Sequence, residues 1–108
     1  MRPLEPYTIV LLRLPPDPPV LPDEEADRIQ GAHLAFLDDQ RAEGALVAAG
    51  PFRDRVDENL RGLCVYALPL DDVREIAAHD PSVVAGCMEA QVFTWLIPPG
   101  QARFGPGA

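Results

Sequence analysis

Apolar and polar positions alternate along this chain in two different rhythms. Tyr7–Leu14 is a continuous apolar run with Thr, Ile and Val, bounded by prolines. It predicts a strand buried on both faces. Pro15–Pro22 predicts a stiff, extended, proline-rich loop. Ala26–Glu43 changes to a helical rhythm, with Ile29, His33, Phe36 and Leu37 on one stripe. Asp23 is the expected N-cap, with Glu24, Glu25 and Asp27 suited to the positive end of the helix dipole. Gly44 is the expected stop. Leu46–Phe52 predicts a second strand, and its Gly50-Pro51 step implies an edge or a bulge. Arg53–Asn59 is a polar loop. Leu60–Leu68 predicts a third strand, Asp71–His79 a short helix, Pro81–Gly86 a turn or a single helical turn, and Glu89–Ile97 a fourth strand rich in β-branched and aromatic residues. Residues 1–98 therefore form one domain. Residues 99–108 form a Pro/Gly-rich tail.

The order β-α-β-β-α-β predicts an α+β, ferredoxin-like fold: a four-stranded antiparallel sheet with two helices on one face. Two helices cover only one face, yet the strands are apolar on both. Tyr7, Ile9 and Leu11 oppose Thr8, Val10 and Leu12 in the first strand. Phe93, Trp95 and Ile97 oppose Val92, Thr94 and Leu96 in the last. A homodimer joined through the sheet faces is the expected remedy, with Phe93 and Trp95 buried for packing. At ~25 cal/mol per Å2, burying several hundred Å2 would contribute several kcal/mol before the costs of association.

Composition narrows the partners. Hydrophobic residues make up 47% of the chain and charged residues 24%, ordinary for a globular domain. The net charge of -8 argues against nucleic acid and anionic membranes, both of which select basic surfaces. All nine basic residues are arginine. Cys64 and Cys87 are too few and too unpatterned for a disulfide framework or a zinc site, and read as buried thiols. No signal peptide or membrane-spanning run is evident, so a cytoplasmic protein is expected.

His33 is the first candidate for chemistry. An imidazole within an apolar stripe needs a polar partner, and it moves protons readily near neutral pH. It is either a satisfied core residue or the centre of a site. Asp80 is its candidate partner, or simply a cap on the turn that Pro81 begins. Paired, the carboxylate would orient the imidazole as a general base. No nucleophile accompanies the two, because Ser82, the only serine, carries no mark of activation. Proton transfer is then favoured over covalent catalysis. His79 reads as structural, a cation suited to a helix C-terminus. Two ligands are too few for a metal, and no metal or other cofactor is expected. Arg13 is either a carboxylate clamp for a small-molecule ligand or an ion-pair partner of the acidic loop. Gly50 and Pro51 either shape a pocket wall or merely end their strand.

The segments YTIVLLR, AHLAFL, LVAAGPF, GLCVYAL and AAHDPSVVAG together resemble the YciI-like (YCII-related) family over nearly the whole chain. AHL, AAGP and DP-x-V-x-AG carry that resemblance jointly. It implies a dimeric α/β barrel with a pocket centred on a histidine and an aspartate, which by position are His33 and Asp80. The proline-rich loop and the tail depart from a compact member and bear on the pocket entrance. Two functional readings follow: a lyase- or isomerase-type enzyme using His33 and Asp80 for acid–base chemistry on a small organic substrate, or a non-catalytic ligand-binding or interaction module using the same pocket. A heme-type or cofactor-free oxygenase fits the barrel but lacks a distinctive motif.

Overall fold

The computed structural model describes residues 3–105. Its elements follow the expected order: β1 (Glu5–Arg13), α1 (Asp23–Ala42), β2 (Leu46–Pro51), β3 (Leu60–Tyr66), α2 (Leu70–Ala78), the short α3 (Pro81–Val84) and β4 (Glu89–Ile97). The strands form one sheet in the order β2-β3-β1-β4, every neighbouring pair antiparallel. This is the α+β, ferredoxin-like arrangement. The apolar strand β1 is interior, and β2, which carries the Gly50-Pro51 step, is an edge.

Alternation sorts the strands as expected. Val10 and Leu12 of β1, Cys64 and Tyr66 of β3 and Leu46 of β2 form one buried cluster with Val73 and Ala77 of α2. Tyr7, Ile9 and Leu11 point to the other face. There Tyr7 stands opposite Trp95 and Ile9 opposite Phe93. The tail returns onto this face, with the Phe104 ring edge-on to Tyr7 at a centroid distance of 5.1 Å. Ile9 and Val65 are buried there. Phe93 and Trp95, expected to be buried, are 46% and 45% exposed in the single chain. Two helices cannot screen both faces of the sheet, and the described part of the tail leaves these rings open. Residues 1–2 and the tail beyond Gly105 lie outside the described residues.

Helix α1 begins earlier than expected. Pro22 holds the N-cap position with no side-chain cap, and its carbonyl accepts the first helical bond from the Ala26 N–H at 3.0 Å. Asp23 is thus the first helical residue rather than the cap. Asp23, Glu24 and Glu25 still offset the dipole from within the first turn. At the far end Gly44 adopts φ +83, where a side chain would be strained. The Ala45 N–H then reaches the Gln40 carbonyl, and the Gly44 N–H reaches that of Arg41. This pair of bonds is a Schellman stop, and it turns the chain directly into β2.

Candidate functional site

Helix α1 lies against the sheet and against α3, so its middle faces the connection between α2 and α3. His33 projects from that middle and is buried, as is Asp80 on the connection. His33 Nδ1 lies 2.9 Å from Asp80 Oδ1 and 2.8 Å from Oδ2. An ionised carboxylate has nothing to donate, so Nδ1 carries the proton and donates it. In the neutral ring Nε2 is then the nitrogen with a free lone pair. Nε2 has no hydrogen-bond partner among the described residues.

Asp80 also caps α3. Its Oδ1 accepts from the Ser82 N–H at 2.9 Å and from the Ser82 hydroxyl at 2.8 Å. Capping and pairing, alternatives in the sequence, coexist because a carboxylate has about four acceptor positions. Proline at the first helical position sets the backbone for this turn. Ser82 is buried, and its hydroxyl proton is committed to Asp80. Sequence reasoning missed this role. The signal was available in Asp-Pro-Ser, since the cap residue accepts from the residue two positions on.

The side chains around the pair are buried. Burial, and then the Asp80 carboxylate, push the Cys64 thiol up to about 12. Burial first, then Cys64 and Asp80, also raises the Tyr66 phenol above its ordinary value. Both groups stay neutral near pH 7, so Cys64 is a wall rather than a thiolate nucleophile. Cys87 is half-buried, and both thiols are free. Among the described residues no group of three or more His, Cys, Asp or Glu could hold a metal ion.

Beside His33 opens a cavity of about 590 Å3 between α1 and the β2–β3 edge. Ala48, Ala49, Gly50 and Gly62 give it a floor of small residues, and Leu34 and Leu37 of α1 form the opposite wall. A Cβ on Gly50 would meet nothing within 4 Å, so the absent side chain leaves open room. A Cβ on Gly62 would stand 3.0 Å from the Gly50 carbonyl oxygen. Gly62 thus permits the two strands to pair closely. Gly50 and Pro51 both line the cavity. Gly62 and the alanines were not singled out as site residues, because small residues in a strand carry no periodic signature, and Cys64 was read only as a buried thiol.

Arg13 is placed elsewhere. It does not line the cavity, and its Nη2 pairs with Asp57 Oδ2 at 3.2 Å. The Asp57 carboxyl is held below its ordinary value chiefly by the Asn59 N–H and further by Arg13. His79 lies on the exposed end of α2, its Nδ1 donating to the Glu75 carbonyl at 2.8 Å.

The family model of the YCII-related domain matches residues 9–96. The chain belongs to the YCII-related family. The matched span runs from β1 to β4 and includes both His33 and Asp80. No curated protein matches the chain in sequence. Among solved structures, the chain is similar to 5-chloro-2-hydroxyhydroquinone dehydrochlorinase (TftG) from Burkholderia phenoliruptrix, in complex with 2,5-dihydroxybenzoquinone. The TM-score is 0.55 at 20% identity, with 82% of this chain and 92% of the other covered. At that identity the likeness is one of fold. Among the described residues, no helix of this YCII-related chain is long and apolar enough to cross a membrane.

Proposed function

We propose that this protein is a small enzyme of lyase or isomerase type, in which His33 Nε2 moves a proton on a small organic substrate held over the Ala48–Gly50 floor. The observation that carries the reading is the buried pair: Asp80 fixes the Nδ1–H tautomer, leaving the basic nitrogen of a cavity-lining residue without a partner among the described residues. The substrate's proton passes to Nε2, Asp80 offsets the imidazolium charge, and the same proton returns to a leaving group or to another carbon of the substrate. The absence of an activated nucleophile beside the pair favours this over a covalent route. The structural neighbour is named for a dehydrochlorination, an elimination, which agrees in reaction type.

Gly50 and Pro51 serve this reading as substrate-contacting backbone. Arg13, bound to Asp57, would contribute by holding the 53–59 loop. We also propose that two copies join through the sheet face that carries Phe93 and Trp95. Two free thiols, Cys64 and Cys87, suit a reducing compartment such as the cytoplasm.

The test is His33→Asn. The Asn amide can take the place of Nδ1–H toward Asp80 while removing the basic nitrogen. Purified wild type and variant are assayed for chloride release from chlorinated hydroxyhydroquinones and for proton–deuterium exchange at enolisable carbon acids. Turnover in the wild type that falls by about 10^2–10^4 in the variant is expected. Ligand binding without turnover in the wild type would instead favour the binding-module reading.

A further inference from the structure

The chain continues past β4 in a way its residues dictate. Pro98 and Pro99 end the strand, since neither can donate to a ladder. Pro99 and Gly100 then fill the two central positions of a turn, closed by the Gln101 N–H on the Pro98 carbonyl at 3.2 Å. Gly100 adopts φ +78, the value a type II turn requires there. The turn sends the chain back to the sheet face that carries Tyr7, where Phe104 meets the Tyr7 ring. From Gln101 to Gly105 exposed and half-buried residues alternate, with Ala102 and Phe104 the half-buried ones. This is the rhythm of an extended segment laid on a surface. The matched family span ends at residue 96, so this strap lies beyond it.

The strap meets the cavity that His33 lines, because Gly105 lines it too. The strand register explains how a residue of the Tyr7 face reaches a cavity that His33 enters from the helix side. Ala48 pairs with Val65 and Gly50 with Leu63, while Val65 and Leu63 pair with Ile9 and Leu11. Ala48, Gly50 and Leu63 therefore share the Tyr7 face, and Ala49 and Cys64 share the helix face. All five line the cavity. It thus passes round the β2 edge, where small residues leave no side chain to block the way. Ile9 and Val65, in the middle of the Tyr7 face, are buried although the helices pack on the other side. Such burial needs a cover, and the strap lies on this face.

We propose that the strap is a wall of the ligand site, and that Phe104, by anchoring it on Tyr7, sets how large a ligand the cavity takes. The inference rests on the proposed reading of the cavity as the substrate site and adds a size limit to it. The reacting part of the ligand lies on the helix side, at His33. The remainder passes Ala49 and Gly50 and ends against the strap. Phe104 is a positioning residue, acting through the backbone at Gly105.

The test places a cysteine on each side of the β2 edge in the full-length protein. The background is Cys87→Ser, since Cys64 is buried and stays a neutral thiol. Ala48→Cys reports the strap side and Ala49→Cys the helix side, each alkylated by a bulky maleimide. Adding Phe104→Ser should raise the Ala48→Cys rate roughly tenfold or more and leave the Ala49→Cys rate alone. Phe104→Tyr, which keeps a ring, should keep the parent rate. Gly100→Val strains the turn without touching the face and should act like Phe104→Ser. In parallel, 2,5-dihydroxybenzoquinone and the two-ring 2-hydroxy-1,4-naphthoquinone are titrated into the wild type and Phe104→Ser. The variant should shift preference roughly tenfold toward the larger compound.

An Ala48→Cys rate indifferent to both Phe104→Ser and Gly100→Val overturns the inference. So does an unchanged preference, absence of binding in both proteins included. Protection of Ala48→Cys that is lost on dilution alone also overturns it, because a second copy and not the strap would then cover the face. The two readings fail separately. Release of Ala48→Cys and a shifted preference in Phe104→Ser, with no turnover in the wild type, keep the strap and remove the acid–base reading. Turnover that needs His33, with Ala48→Cys equally open in both proteins, does the reverse.

Discussion

Asp80 carries three interactions through one side chain: the His33 imidazole, the Ser82 N–H and the Ser82 hydroxyl. Removing it would leave all three donors buried and unmatched. Asp80→Ala is therefore expected to cost about 3–5 kcal/mol, read from the urea midpoint at unchanged slope. Asp80→Asn keeps an oxygen for the cap and should cost less. Cys64 makes a second prediction at this scale. Its thiol is raised from about 9.0 in the unfolded chain to about 12 in the fold. The stabilisation is fully present below pH 9 and is lost as pH rises toward 12, because the unfolded thiol ionises first. Alkaline denaturation beginning above pH 9, and later in Cys64→Ser, is the expected outcome. Iodoacetamide at neutral pH should leave Cys64 unmodified in the folded protein.

The elements were legible because hydrophobic rhythm survives folding; Gly44 after α1 and both bounds of β4 were legible too, and the start of α1 was not. Pro22 displaces Asp23 from the cap of α1 through backbone geometry that no polar signature announces. His33 was conspicuous because a titratable ring broke an apolar stripe. Its link to Asp80 needed the family resemblance, since the two are 47 residues apart in the chain. Arg13 exposed the opposite limit: whether a strand-end cation meets a ligand or Asp57 depends on how the 53–59 loop folds back, which is a tertiary matter. The cavity floor was invisible for a different reason, because it consists of what the side chains lack. Two glycines test that floor in opposite directions. Gly62→Val forces a side chain against the Gly50 carbonyl and should cost about 1–3 kcal/mol. Gly50→Ala points into open space, so the melting temperature should hold while the cavity narrows and ligand affinity changes.

At the scale of the molecule, the sheet has one face served by helices and one served in part by the tail. Tyr7 and Phe104 meet there, while Phe93 and Trp95 stay about half exposed. A contiguous apolar surface of that kind is unusual on a monomer. The expected outcome is a dimer in sedimentation equilibrium at micromolar concentration. Trp95 fluorescence should shift to the red on dilution as the ring meets water. A chain that sediments as a monomer with invariant emission would show that the tail alone suffices. Replacing Phe93 and Trp95 together by Ser should dissociate the dimer and leave the His33–Asp80 pair in place, because the pair lies on the helix side of the sheet.

The proposed proton transfer depends on which nitrogen of His33 holds the proton. Long-range 1H–15N correlation spectra of the imidazoles at mildly alkaline pH read this directly, with His33→Asn assigning the two rings. The geometry predicts a protonated Nδ1 held by Asp80 and a pyridine-like Nε2 whose 15N shift moves when a ligand enters the cavity. A protonated Nε2, or an Nε2 signal indifferent to every ligand that binds, would contradict it.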